Sequence, residues 1–406
     1  MTTCRACRGS QMLMFLPLGD HPPANAFVAP GGLDTPDRVF PLNTHVCLGC
    51  GLIQVPNVIP PDFFRHYLYV PSASATMHGH FAGLADEVAA QLDAPDGLVV
   101  DIGCNDGLFL GACQDRGLRI LGIDPATNLI ARARERGITV LNEYFNAATA
   151  AAARQEYGPA SIIVTTNTFN HIDDLHEFMR GVAILLADRG RFIVEVPHAL
   201  DLVHHNEFDT VYHEHVSEFA VKSFVDLYDY FDMVVVDIQQ LSIHGGSMRI
   251  VAQRRQPGVS VGPVVEQWLE RERAAGLFSA DTYRAFRERV EQNRDALMAL
   301  LRRLKGEGKR LAGYGAPAKG STLLNYYGIG PELLDFLADR NSLKQGLYSP
   351  GTRIPIVGPE RILEDQPDYL VVLAWNFADE IIAQQQEYQR RGGRFILPIP
   401  EPRVVG

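Results

Sequence analysis

Apolar positions along the chain fall into stretches with different periods. Residues 1–60 are rich in proline and glycine and only weakly periodic, which predicts a small, loop-rich module that needs a staple. Over 80–93 the spacing turns helical, with Phe81, Leu84, Val88 and Leu92 on one face. Short apolar runs then alternate with helical ones. Strands are predicted at 98–102, 119–123, 138–141, 161–165 and 191–196, with helices at about 106–116, 126–136, 146–156 and 174–187 between them. A helix at about 221–231 and strands near 233–238 and 247–253 complete this set. Such alternation implies a parallel sheet covered on both faces. Residues 264–306 are charged and helical in pattern, a bridge to a second α/β run. That run has strands at 311–314, 333–338, 369–373 and 394–397 and a helix opening near Lys319. The predicted fold class is α/β with three domains, over 1–75, 76–260 and 261–406.

Composition acts mainly by exclusion. The 406 residues are 46% hydrophobic and 21% charged, which are globular values. A net charge of -11 argues against nucleic acid as a partner. A small anion is still admissible, because it needs only a local patch or a helix N-terminus. No apolar run approaches the roughly 20 residues that span a bilayer. The start, Met1-Thr2-Thr3-Cys4-Arg5, lacks a basic stretch followed by an apolar core, so no signal peptide is expected. The expectation is a soluble, cytoplasmic, monomeric protein that meets a small molecule rather than a membrane or nucleic acid.

Six cysteines are too few for a disulfide scaffold. Four of them form two C-x-x-C pairs, Cys4/Cys7 and Cys47/Cys50, while Cys104 and Cys113 lie apart. Two such pairs match a four-cysteine zinc staple; a redox pair or unrelated cysteines are the alternatives. Four protein ligands leave no open position, so the expected role of Zn(2+) is structural.

The segment Val99-Val100-Asp101-Ile102-Gly103-Cys104-Asn105-Asp106-Gly107 follows a predicted strand and opens a helix. Gly103 and Gly107 permit a tight turn and close approach of a ligand to the backbone. The pattern is D-x-G-x-x-x-G rather than the G-x-G-x-x-G of dehydrogenases. It resembles motif I of class I S-adenosylmethionine-dependent methyltransferases. That resemblance implies that the glycines pack against the methionine part, that Asp101 helps orient the site, and that Asn105 and Asp106 belong to it. In Gly122-Ile123-Asp124-Pro125 an acid ends the next strand, where it can accept hydrogen bonds from both ribose hydroxyls. The plainer alternative for Asp124 is a helix N-cap. Thr166 to His171 follows the fourth strand, and ligands of open parallel sheets sit beyond the carboxyl ends of strands. Asn167 and His171 are therefore placed to face the sulfonium end, although a lone loop histidine is commonly just capped.

Tyr212-His213-Glu214-His215 packs a phenol, two imidazoles and a carboxylate together. A zinc-protease reading fails, because H-E-x-x-H needs histidines four apart on a helix. General acid/base chemistry suits the set better than a metal site. Here the sequence resembles the C-methyltransferases of deoxysugar biosynthesis, which methylate C-3 of nucleotide-linked 4-keto sugars. The matching features are the cysteine pairs, Asp101 to Gly107, Tyr212 to His215, Ile243-His244-Gly245-Gly246-Ser247-Met248-Arg249 and Gly313-Tyr314-Gly315-Ala316-Pro317-Ala318-Lys319-Gly320. They occur in family order over nearly the whole chain.

The resemblance implies a zinc-binding module, a central class I methyltransferase Rossmann-like domain and a C-terminal Rossmann-like domain. The sugar nucleotide, a thymidine-diphosphate-linked keto sugar, would lie between domains. By the same resemblance His215 is the base and Glu214 its orienter or a sugar ligand. Tyr212 and His171 would bond the sugar, with a further tyrosine from Tyr67 or Tyr69; packing of the first module is the alternative for those two. Gly315 and Lys319 sit in a strand–turn–helix that presents N–H groups to an anion, or else forms a turn with no ligand. Beside Gly245-Gly246, His244 and Arg249 would approach the substrate, unless that pair is a hairpin bulge. Asn170 and Glu218 depart from the less polar residues expected in close sugar-methylating relatives. Two other functions compete: the same chemistry on a non-sugar keto acceptor, or a zinc-stabilised binding protein without activity.

Overall fold

Three sheets organise the chain in this computed structural model, which describes residues 2–65, 67 and 70–406. Tyr69 lies outside the described residues, and so does the side chain of His244. Among the described residues no helix is long and apolar enough to cross a membrane.

The first module is more regular than its composition predicts. Strands β1 (Met12–His21), β2 (Phe40–Cys47) and β3 (Ile53–Gln54) form an antiparallel sheet. Pro17 and Gly19 lie inside β1, and its register shifts at Met14/Leu16 and Pro17/Asp20. Those irregularities break the two-residue alternation by which a strand is recognised.

The central sheet follows the predicted pattern closely. Its strands are β4 (Leu98–Ile102), β5 (Arg119–Ile123), β6 (Val140–Leu141), β7 (Ala160–Thr166) and β8 (Leu186–Pro197). Between β8 and the rest of this sheet, β9 (Ser217–Glu218) leaves to pair with β3 of the first sheet. Strands β10 (Met233–Leu241) and β11 (Ser247–Arg254) then close the central sheet in the order β10-β11-β8-β7-β4-β5-β6. β4 to β8 run parallel, and β11 is antiparallel to both its neighbours. Alternate residues face opposite layers, as strand geometry requires. Val99, Ile162, Val164 and Ile193 pack with the helix Ala75–Gln91, whereas Val100, Ile163 and Val194 pack with Phe178 and Phe224.

The charged bridge is built of two helices, Pro263–Ala274 and Ala280–Gly306. Gly276 has φ +72°, and Ser279 caps the second helix by accepting from the Asp281 N–H. A left-handed glycine followed by an N-cap ends one helix and starts another. Phe15 of β1 packs on Tyr283 of the second helix at 4.9 Å. The first module therefore shares a core with the bridge and the last domain.

The C-terminal sheet holds β12 (Leu311–Tyr314), β13 (Leu337–Ala338), β14 (Ile356–Val357), β15 (Tyr369–Val372), β16 (Arg394–Leu397) and β17 (Arg403–Val405). Their order is β14-β13-β12-β15-β16-β17, parallel except for β17. The strand expected over 333–338 is only its last two residues.

Candidate active site

Cys4, Cys7, Cys47 and Cys50 converge, their sulfurs all within 4.8 Å of one another. Four thiols this close, three of them buried, suit a tetrahedral zinc ion, whose charge offsets the repulsion among thiolates. The knuckle also reaches into the catalytic loop. Arg5, between the first two cysteines, donates to the Val216 carbonyl at 2.9 Å and to the Val55 carbonyl at 2.7 Å. His213 contacts the Phe40 carbonyl at 3.1 Å. The loop that carries Tyr212 to His215 is thus held by the metal module rather than by the central domain alone.

After β4 the backbone turns with φ +82° at Gly103, +53° at Asn105 and +77° at Gly107. A Cβ on Gly103 would lie 2.1 Å from Thr168 Oγ1, so glycine is required there. Asp124 is buried and accepts from the N–H groups of Asn105 (2.8 Å) and Ala126 (2.7 Å). It is not the cap of the next helix, whose N-cap is Ala126. Pro125 separates the two. Burial, with Asp124 and Glu195 nearby, pushes the Asp101 carboxyl well above the usual carboxylate range. Asp101 Oδ1 and both oxygens of Asp106 are buried without a hydrogen-bond partner among the described residues. Buried acceptors without donors call for a donor from outside the chain. Asn167 sits at φ +52° with its N–H on the Glu195 carbonyl at 2.8 Å, beyond the end of β7.

The acid/base cluster assembles next to this turn. The Tyr212 hydroxyl is hydrogen-bonded to His215 Nε2. His215 Nδ1 lies 3.1 Å from Glu218 Oε1. The His171 ring is 5.0 Å from that of His215, and the Tyr67 ring is 6.3 Å from His171. Burial pushes His171 down to about 4, so it is a neutral imidazole near pH 7. Backbone groups of Tyr67 exchange two hydrogen bonds with Asn128, at 3.1 and 2.8 Å. Asn128 belongs to the helix Thr127–Glu135 that follows Asp124 and Pro125, so Tyr67 ties the acceptor cluster to the cofactor turn.

Glu214 does not meet His215. It is fully buried, bonded by Asn25 Nδ2 at 2.5 Å, and burial pushes its carboxyl up to about 7. The carboxylate on His215 is Glu218, which the sequence marks only as an unusual residue. Asn25 has no sequence signal at all, because it sits in a loop of the first module. Arg249 is also elsewhere: its guanidinium pairs with Glu195 at 2.6 Å and Glu87 at 2.5 Å, and His80 joins Glu195 at 2.7 Å. Arg249 lies opposite Glu195 in the β8–β11 register, so an ion pair across the strands uses it.

In the C-terminal domain Gly315 has φ +86°, and the Ala316 N–H donates to Asp339 at 2.7 Å. Lys319 lies over the Trp375 ring at 4.3 Å and faces Asp209, Glu207 and Glu218. Trp375 Nε1 donates to Asp209 at 2.8 Å. Lys344 donates to the Ala316 carbonyl at 2.8 Å.

Comparison with known proteins decides what this arrangement is. C-methyltransferase NovU of Streptomyces niveus is 39% identical over 404 residues, covering 99% of this chain and 96% of that protein. The chain belongs to the C-methyltransferase family. Within this C-methyltransferase, residues 4–64 match a zinc binding domain, 77–237 a methyltransferase domain and 242–400 a C-methyltransferase C-terminal domain. Its cofactors are S-adenosylmethionine and a zinc ion held by the four cysteines. Among solved structures, magnesium protoporphyrin IX methyltransferase from Synechocystis PCC 6803 aligns with a TM-score of 0.36 at 15% identity, over 44% of this chain and 83% of that one. An S-adenosylmethionine-dependent methyltransferase from Anabaena variabilis ATCC 29413 aligns with a TM-score of 0.37 at 16% identity, over 44% and 86%.

Proposed function

We propose that this C-methyltransferase acts on a nucleotide-diphosphate-linked 4-keto-deoxysugar, adding the methyl group at C-3 through an enolate formed by His215. The observation that carries the reading is the chain Tyr212–His215–Glu218 set beside His171 and Tyr67, beyond the carboxyl ends of the central strands. S-adenosylmethionine, when bound, supplies a methyl group on a sulfonium. The residues assigned to it are Asp101, Gly103, Asn105, Asp106, Gly107, Asp124, Pro125 and Asn167.

Carbon methylation needs a carbanion, and a neighbouring ketone makes the carbon acidic enough to give one. His215 removes the proton, and its electron pair moves to the ketone oxygen. Tyr212 and neutral His171 are the hydrogen-bonding groups at hand for that oxygen. Tyr67 closes the cluster toward the cofactor. Lys319, Gly315 and His244 are assigned to the acceptor's outer parts. A large acceptor fits a set of assigned residues that starts at Tyr67 of the first module, centres on the central domain and ends at Gly315 and Lys319 of the last. The protein is expected in the cytoplasm, acting as a monomer.

The test is proton exchange in deuterated solvent at C-3 of a thymidine-diphosphate-linked 4-keto-deoxysugar. Wild-type protein should exchange that proton, whereas His215→Ala should slow exchange and methyl transfer by about 10²–10⁴-fold with S-adenosylmethionine binding kept. Exchange at an unchanged rate in the variant removes His215 from the role. An absence of exchange across several such sugars removes the sugar.

A further inference from the structure

Glu218 is the least expected member of the cluster. Its backbone is fixed twice, by pairing with Ile53 in β3 and by the helix Val221–Asp229 that starts just beyond it. The residue is 1% exposed, with Oε1 on His215 Nδ1 and Oε2 without a partner among the described residues. An imidazole has two nitrogens, and the bond made by one decides the state of the other.

We propose that Glu218 is the positioning residue of the base: its carboxylate accepts the His215 Nδ1–H, leaves Nε2 as the basic nitrogen, and stabilises the imidazolium that forms when Nε2 takes a proton. For its catalytic meaning this rests on the reading of His215 as the base; its effect on the imidazole does not. The step balances. Once the Tyr212 O–H has turned from Nε2 to the ketone oxygen, a substrate C–H bond breaks, an N–H bond forms at Nε2, and the electron pair goes to the enolate. The Nδ1 proton stays on nitrogen in its bond to Glu218, and the imidazolium later releases its new proton to solvent.

The surroundings pull on Glu218 in opposite directions. Burial and Glu207 raise the Glu218 carboxyl well above the usual range, and Lys319 from the helix Ala318–Tyr327 opposes them. Among the described residues, His171 and Tyr212 are further titratable groups against His215. Burial disfavours the charged imidazole, whereas a carboxylate 3.1 Å from Nδ1 favours it, so removing that carboxylate should lower the midpoint of His215. Glu214 cannot serve in its place, being bonded to Asn25.

The experiment is a titration of full-length, zinc-loaded protein labelled with 15N-histidine, with the His215 signals assigned by their loss in His215→Gln. Wild-type protein should show the Nδ1–H tautomer. In Glu218→Gln the midpoint should fall by about one unit or more, and Glu218→Asp should restore part of the difference. An unchanged midpoint and tautomer in Glu218→Gln overturns the proposal. If that variant loses its helical circular dichroism, Glu218→Asp carries the same comparison: a titration identical to wild type with the carboxylate withdrawn by one methylene overturns it. The proton-exchange assay keeps the two readings apart. A His215→Ala protein that still exchanges sinks the base while leaving the titration result standing. A normal titration in Glu218→Gln sinks the positioning role while leaving the base.

Discussion

At Gly103 and at Gly315 the chain leaves a parallel strand with φ +82° and +86°. At both turns an aspartate after the neighbouring strand accepts an N–H of the turn: Asp124 from Asn105 at 2.8 Å, and Asp339 from Ala316 at 2.7 Å. What lies around them differs. At the first turn Asp101 Oδ1 and both Asp106 oxygens are buried and lack donors among the described residues. At the second, Lys344 bonds the Ala316 carbonyl, and Lys319 is covered by Trp375 and faced by three carboxylates. The first turn carries its unmet acceptors on its own residues, whereas at the second they belong to the carboxylates that face Lys319, Asp209 Oδ1 and Glu218 Oε2. A strand–glycine–helix pattern therefore marks a place where a ligand can bind, and unmet acceptors on the turn itself single out the first of the two.

Alanine at the two glycines should separate the turns most sharply. A Cβ on Gly103 would lie within 2.1 Å of Thr168 Oγ1, whereas one on Gly315 would first meet Ala374 Cβ at 3.1 Å. Both positions resist a side chain for their backbone angles alone. Gly103→Ala should weaken S-adenosylmethionine by about 100-fold or more, about 2.7 kcal/mol, in calorimetric titration. Gly315→Ala should cost about 1 kcal/mol of stability and leave that affinity alone. Equal losses of cofactor binding in both variants would break the contrast.

A second contrast concerns pH. Asp209 is fully buried, and its carboxyl is pushed from 3.8 up to about 7, mainly by burial, against the pull of Lys319 and of the Trp375 N–H. A carboxyl that binds its proton more tightly when folded stabilises the fold at low pH. The contribution is complete below about pH 4 and fades as pH rises through about 7. Asp209→Asn should therefore match wild type near pH 4 and be more stable at pH 8, by about 2–4 kcal/mol, in denaturant melts. A variant less stable at pH 8 would mean that the Lys319 pairing outweighs the cost of burial.

Legibility in the sequence follows the same divide between local and long-range causes. The strands β4, β5, β7 and β8 are short apolar runs because both faces are covered, and each is visible within five to twelve residues. The zinc cysteines announce themselves by local spacing. β1 hides behind Pro17, Gly19 and two register shifts. β9 is two residues long and exists only because β3 is there to pair with it. Glu218 and Glu214 show how this affects the site. Both acids flank His215 in sequence, and proximity favours Glu214. The choice is made by partners far away in the chain: Asn25 takes one carboxylate, and β3 fixes the backbone of the other. Arg249 was hidden in the same way, since its partner Glu195 is set by strand register.

The smallest expected effect is the one that decides what the second turn is for. Asp339 places a negative charge at the start of the helix Ala318–Tyr327, accepting from both Ala316 and Asn341. An anion bound there would feel that charge, and charges near a helix N-terminus contribute about 0.3–1 kcal/mol. Asp339→Asn removes the charge while keeping one acceptor oxygen. If the acceptor's diphosphate lies at this turn, its KM should fall about two- to fivefold, with kcat and S-adenosylmethionine affinity unchanged. A free thymidine diphosphate inhibitor should gain by the same factor, because the effect acts on phosphate and not on the sugar. An unchanged KM and inhibition constant would leave Gly315 and Lys319 with a purely structural duty, joining the last domain to the carboxylates of the catalytic loop.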